Sequence, residues 1–561
     1  DGEGGEPFTG VCGAELYNPL KNVYWGDLHV HTSYSIDSFV FGNRNDPAAA
    51  YSLARGDASL PLNSGNGGTA TATLEAPLDF AAVTDHGEFL TIAGQCTFGD
   101  PGNEDLCETL NDQGAPQQTV QMGLLLARLA AVDPPPLPGC SGANEAACVQ
   151  AAQNTWERAQ QAADAAYAPC TFTSLYAYEW TATTGAANLH RNVIFGTTSV
   201  PDVPLDYLHY PTPLALWQGL DATCRADDGC DVITIPHNSN LSNGTMWDTA
   251  DDPVSREYMR RYQVLVEMAQ HKGASECAPG APLSDPDCDF EDADGGDPDA
   301  NGPGYVRNGL ARGLMLQDAT GANPLQMGVI GSTDTHNGAP GYTQENGWNG
   351  HAAGTDDTPE ARLDQATFAP GALAAVWAPE NTREEIYAAL KRREAYATSG
   401  PRIVVRFFAL DDVDDAAAAD FCADPELPRR LVEAGAQPMG AEVHAMVRPR
   451  FFVAGAAAGT PLERLDLVRL GLDEQGEPAL QLRSVALEGS DQATFCKSFT
   501  EGDGFDPEVP WLYYARVLES AKPRWSALDC AVAPDHPSCS DPAIPTTVKD
   551  RAGTSAIFVS P

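Results

Sequence analysis

A strand-then-helix rhythm through the first 400 residues predicts an α/β domain on a largely parallel sheet, followed by a smaller all-β, sandwich-like domain. Three observations carry this expectation. Short apolar runs alternate with helical stretches as far as "TREEIYAALKRREAYATS". Beyond "PRIVVRFF" the helical period fades, and apolar and polar residues alternate between turn signals. A chain of 561 residues also exceeds one ordinary domain, and an apolar content of 43% supplies more than one core. The boundaries read as an N-terminal extension over 1–20, a first domain over 21–405 and a β-rich domain over 406–561.

In chain order, strands are expected at "VYWGDLHV", "DFAAVTD", "SLYAYEWTA", "RNVIFG", "DVITIPH", "QVLVEMA" and "MGVIGSTD". Helices are expected at "TVQMGLLLARLAAV", "ACVQAAQNTWERAQQAADAAY" and "TREEIYAALKRREAYATS". The Asp/Gly/Pro-rich segments 93–118 and 272–310 read as surface insertions. The later strands are "EVHAMVRPRFFVAG", "LERLDLVRLGL", "ALQLRSVAL", "WLYYARVLE" and "TSAIFVS". No internal repeat is present.

A formal charge of −45 argues against a protein that tracks nucleic-acid phosphates or anionic membranes. No apolar run is long enough to span a bilayer. The opening "DGEGGEPFTGVCG" has neither a Met nor a basic or apolar leader, as a start trimmed of its signal peptide would. Fourteen cysteines lie mostly in loops and close in sequence: Cys96 and Cys107, Cys140 and Cys148, Cys224 and Cys230, Cys277 and Cys288, Cys530 and Cys539. An exported protein staples such loops with disulfides. Thiolate metal sites are the alternative, but no C-x2-C spacing occurs. Local pairing is the simplest connectivity, and a periplasmic or secreted location is expected.

The stretch "VYWGDLHVHTSYSID" sets His29 and His31 on one face of a strand end, with Asp37 six residues on. "GSTDTH" repeats the device with Asp334 and His336. Between them Asp85, His86, Glu179, His190 and His237 each stand at the edge of an expected strand, and "LVEMAQHKG" adds Glu267 and His271. A lone histidine at a strand end is commonly a hydrogen-bonded structural residue; the H-x-H and D-x-H pairs point more sharply to ligation. Imidazoles mixed with carboxylates suit zinc, manganese or iron. They outnumber one ion's needs, so two or three divalent ions are implied. At the carboxyl ends of barrel strands such a cluster is a hydrolytic arrangement, in which a bridging water is made acidic.

"HVHTSYSID", "FAAVTDHGE", "ITIPHN" and "GSTDTH" resemble the motifs of the PHP superfamily (polymerase and histidinol phosphatase). The wider pattern, "YWGDLHVHTSYSID", "YEWTAT", "HRNVIFG", "PHNSN" and "TREEIYAALKRREAYATSGPRI", is similar to the branch catalogued as domain of unknown function 3604. The resemblance covers about residues 20–410, in family order, and the C-terminal β segment only loosely. It implies a distorted (β/α)7 barrel with large loop insertions over 21–405, and metal-dependent phosphoesterase chemistry. The implied ligands are His29, His31, Asp37, His86, Glu179, His190, His237, Asp334 and His336. Glu179 matches a metal-bridging carboxylate. Asp37 stands where many relatives carry a third histidine. His190 departs from the usual spacing, with substrate contact as its alternative role. Asp85 fits a place behind the ligands, orienting one of them or handling a proton. Glu267 and His271 have no firm counterpart; a buried strand carboxylate and a nearby surface histidine is the simpler reading.

Arg191, Asn238, Lys272 and Arg402 are candidate substrate contacts, each with a structural salt bridge as the competing role. The expected function is an exported multinuclear metal-dependent hydrolase acting on a small or oligomeric anionic phosphoester, by in-line attack of a metal-activated hydroxide. Neither a G-x-S-x-G motif nor a reduced cysteine argues for a covalent nucleophile. A carboxylic ester or amide hydrolase is the alternative. A secreted binding protein with structural metals is a third reading.

Overall fold

The computed structural model describes residues 10–112, 114–293, 302–487, 494–501 and 505–561. Parts of the expected N-terminal extension (1–9) and of the second insertion (294–301) lie outside those residues. The seven strands expected before residue 400 form as β1 (Asn22–Asp27), β2 (Phe80–Ala82), β3 (Thr173–Trp180), β4 (Arg191–Phe195), β5 (Val232–Pro236), β6 (Leu265–Gln270) and β7 (Gly328–Gly331). They are followed by β8 (Leu373–Ala378) and β9 (Ala395–Thr398). Most are shorter than the sequence suggests. β1, β2, β5, β6 and β7 stop before His29, His86, His237, His271 and Asp334, which therefore ride on the loops that leave their carboxyl ends.

The sheet is mixed where a largely parallel one is expected. β1, β2 and β3 are parallel, whereas β4 runs antiparallel to both β3 and β5, and β8 antiparallel to β1. The reason lies in the β3–β4 connection, which is too short for the crossover a parallel neighbour needs. This reversal serves the site. Trp180 at the end of β3 pairs with Arg191 at the start of β4, and Arg191 pairs with Pro236 at the end of β5. Glu179, His190 and His237 thus meet on one edge. β6 and β7 form a separate parallel pair, joined to the β1 side by an isolated bridge between Val30 and Thr335. Among the described residues the hydrogen-bonded strands make no closed barrel.

The expected helix over "TREEIYAALKRREAYATS" ends early. The helix Arg383–Lys391 stops at Arg393, whose φ of 61° breaks it, and Ala395–Thr398 is strand β9. The first expected insertion begins inside the helix Leu90–Phe98 and contains the helix Glu104–Asn111. After residue 405 the chain is strand-rich but not all-β. The helices Asp415–Ala423, Leu427–Glu433 and Trp525–Val532 interrupt it, the first capped by Asp414, which accepts from the Ala417 N–H at the head of an alanine run. The strands Trp511–Glu519, Arg551–Thr554 and Ile557–Ser560 extend the first sheet through the pairing of Tyr396 with Thr554. The five local disulfides form, with Cys12–Cys170 and Cys422–Cys496 besides. No helix among the described residues is long and apolar enough to cross a membrane.

Candidate metal centre

The strand ends and loops gather the histidines and carboxylates of the sequence motifs into one buried cluster. At its heart four donor atoms face one another: His29 Nε2, His31 Nε2, Glu179 Oε2 and Asp334 Oδ1. Glu179 Oε2 lies 3.4 Å from His29 and 3.2 Å from His31; Asp334 Oδ1 lies 3.3 and 3.2 Å from the same nitrogens; the two nitrogens are 3.2 Å apart. A tetrahedral zinc with bonds near 2.0–2.1 Å holds its ligands about 3.3 Å apart. These atoms therefore have the spacing of one coordination shell. All four side chains are buried, and carboxylates and imidazole lone pairs converging on one point make a group that could hold a cation.

Two further groups adjoin it. Asp37 Oδ2 is 3.1 Å from both His86 Nε2 and His336 Nε2. On the other side Glu179 turns its second oxygen, Oε1, to His190 Nδ1 at 2.9 Å and His237 Nε2 at 3.4 Å. Neither ring nitrogen of the buried His237 has a hydrogen-bond partner. Glu179 is thus shared between two groups. Within this cluster His29–His31–Asp334, His31–His86–His336 and Glu179–His190–His237 are each groups that could hold a metal ion.

The partners behind the ligands fix the tautomers. Glu267 Oε2 receives His29 Nδ1–H at 3.0 Å. Ser35 Oγ, which donates to Asp85 Oδ1 at 2.8 Å, accepts from His31 Nδ1 at 2.9 Å. Thr181 Oγ1, which donates to Glu179 Oε1, accepts from His86 Nδ1 at 2.7 Å, and His336 Nδ1 donates to the Asp334 carbonyl at 2.8 Å. In each ring Nε2 keeps its lone pair for the centre. Asp85 also binds the N–H and hydroxyl of Thr32, so it acts on the centre through Ser35 and His31.

Without ions, protons take their place. Burial opposes a charged His29, yet Asp334 and Glu267 hold it up to about 10; His31, likewise buried, is held at about 9 by Asp334 and Glu179. Burial likewise opposes ionisation of Asp37, Glu179 and Asp334, yet the surrounding histidines, joined by Lys272 at Asp334, keep all three well below the usual carboxylate range. His237, burial acting with its neighbour His29, drops to about 3 and is neutral.

The candidate substrate contacts divide. Lys272 Nζ contacts Asp334 Oδ2, and the buried Asn238 accepts from Gln270, which also donates to Asp334. Arg191 lies on the face of β4 opposite Glu179, between Trp180 and Trp217, and donates to Gln263 and the Leu189 carbonyl. Arg402 donates to the carbonyls of Ala76 and Pro77 and lines a separate cavity of about 700 Å³. The simpler reading of His271 as a surface residue is corrected, because the hairpin that carries it folds inward and buries it. Sequence patterns alone did not single out Ser35 and Thr181. For Glu267 the available signal is a carboxylate within an apolar strand.

No curated protein and no solved structure matches the chain. A family model described as protein of unknown function (DUF3604) matches residues 18–502 and 492–561, and the chain belongs to that family.

Proposed function

We propose that the protein is an exported multinuclear metal-dependent hydrolase of the PHP type, acting as a phosphoesterase on phosphomono- or diesters. The observation that carries this reading is the four-donor shell of His29, His31, Glu179 and Asp334, extended through the second oxygen of Glu179 to His190 and His237. In this reading residues 21–405 are a distorted (β/α)7-like unit and 406–561 a β-rich companion. Seven disulfides favour an oxidising compartment, periplasmic or extracellular.

Two or three divalent ions, zinc, manganese or iron, would supply Lewis acidity, bringing the pKa of a water towards neutrality and offsetting charge on a phosphoryl group. The protein does the rest. His29 and His31 are oriented by Glu267 and by the Ser35–Asp85 pair, and Glu179 couples two groups through one rigid carboxylate. The Asp37–His86–His336 and Glu179–His190–His237 groups offer three donors each, which leaves positions for water or substrate. Asp37 and His190, with side chains 14% exposed, are where these groups meet solvent. Open positions facing solvent favour an enzyme over a binding protein with closed structural sites. Lys272, 24% exposed beside Asp334, is the cation an incoming anion meets.

A chromogenic panel of a phosphomonoester, a phosphodiester and a carboxylic ester tests this. Turnover of a phosphate ester is expected, abolished by chelation and restored by manganese or zinc. Metal-restored turnover of the carboxylic ester alone would replace the phosphoesterase reading with carbonyl hydrolysis.

A further inference from the structure

The end of β6 is built differently from its neighbours. Opposite β7 the register slips: Glu267 pairs with Ile330 and Ala269 with Gly331, so Met268 is an extra residue that re-aims the chain beyond it. The chain then doubles back at once. Gln270 pairs with Gly273, which leaves His271 and Lys272 as the two central residues of a hairpin tip.

That tip is pinned. The His271 N–H donates to the Thr333 carbonyl at 3.1 Å and the Ala369 N–H to the His271 carbonyl at 2.8 Å. The Lys272 N–H donates to Gln270 Oε1 at 2.6 Å, and Asn240 Nδ2 to the Lys272 carbonyl at 3.0 Å. Gly273, at φ 97°, has the Glu291 carbonyl oxygen pressed against the place where a Cβ would stand, so the turn accepts only glycine.

Three groups of the tip converge on Asp334 Oδ2, the oxygen that points away from His29 and His31. Lys272 Nζ contacts it, Gln270 Nε2 donates to it at 2.6 Å, and His271 Nε2 stands 3.6 Å away. His271 Nε2 is buried without a hydrogen-bond partner. His271, Asp334 and His336 also bring their ligating atoms within 4.8 Å of one another, the spacing of a cation site. A buried imidazole nitrogen and a carboxylate oxygen aimed at one place are a donor pair for a metal. The cation beside them is an ammonium on a braced turn. Among the described residues no other lysine or arginine pairs with Asp37, Glu179, Glu267 or Asp334.

We infer that Lys272 is a built-in cation of the centre, occupying beside Asp334 and His271 the place that a further divalent ion would otherwise take, and so limiting how many ions the centre accepts. The inference rests on the proposed metal centre. A tethered ammonium cannot be diluted or chelated away, so the outer oxygen of Asp334 stays neutralised whatever the metal supply. It also keeps one more exchangeable ion out of the mouth of the site.

Equilibrium dialysis against a manganese series, with bound metal counted by elemental mass spectrometry, tests it on wild type, K272M, K272R and the double variant K272M/H271Q. Wild type and K272R are expected to hold the same number of ions. K272M is expected to take up one more per chain, and K272M/H271Q to return to the wild-type number. Equal counts in wild type and K272M would overturn the inference, as would an extra ion that survives loss of His271. Should circular dichroism show K272M unfolded, Lys272→Gln is read in the same way. A wild-type protein that binds no manganese would instead overturn the metal-centre reading itself.

Discussion

Glu267 lies buried in β6 among Leu265, Val266 and Met268, and receives the Nδ1 proton of His29 at 3.0 Å. A carboxylate in that place fixes the orientation of the ring and would raise its basicity as a ligand. Glu267→Gln keeps the volume and removes the charge, so metal affinity is expected to fall roughly 10- to 100-fold while the fold persists. Competition with a chromophoric chelator measures the first and near-UV circular dichroism the second; unchanged affinity would contradict the assignment. That the candidate ligands cluster was legible because H-x-H and D-x-H place polar side chains just past the ends of apolar strands, where the chain leaves the sheet. Ser35, Thr181 and the inward turn of His271 were not, since a small hydroxyl or a hairpin histidine acquires its role only from neighbours distant in sequence. Arg191 was misleading for the same reason. Its position next to His190 suggested the site, but strand alternation sends it to the opposite face, so Arg191→Ala should lower thermal stability and leave KM unchanged.

Between elements, buried charges and disulfides do the joining. Arg307 on the helix Val306–Thr320 and Arg516 on the strand Trp511–Glu519 are fully buried, and both pair with Glu276 and Asp285. Burial opposes ionisation of Glu276, yet the two guanidinium groups hold it down to about 2. A depressed folded-state pKa contributes stability that is complete above the unfolded value near 4.5 and is lost as pH falls towards 2. The contribution is on the order of 3 kcal/mol. The wild-type melting temperature should therefore drop steeply between pH 4.5 and 2. Glu276→Gln, already destabilised at pH 7 because two buried arginines lose one of their acidic partners, should show a shallower acid limb; parallel limbs would contradict this account. Cys12–Cys170 closes a separation of 158 residues, and Cys224–Cys230 one of 6. Replacing the first pair by serine is expected to cost roughly 2–4 kcal/mol in denaturant unfolding, and the second pair less. At this scale the sequence read strand existence well and strand direction poorly. The reversal at β4 depends on a short connection, and the fate of "EAYATS" on burial against β8 rather than on local propensity.

Across the whole molecule, the formal net charge is −45, and the carboxylates of the centre itself are matched by histidines and one lysine. Such a field draws divalent cations towards the protein and repels anionic substrates from all but the place where positive charge is concentrated. The richness in strands after residue 405 was legible from hydrophobic period. The joining of both parts in one mixed sheet was not, because the pairing of Tyr396 with Thr554 leaves no local trace. The central claim is that these buried groups form a multinuclear metal centre bridged by Glu179. Its most direct test is an anomalous-difference map from crystals of the protein equilibrated with zinc or manganese, recorded either side of the metal edge. The account predicts one peak inside the His29–His31–Glu179–Asp334 shell and a second within reach of Glu179 Oε1, His190 and His237. A map with no peak in the four-donor shell would contradict it.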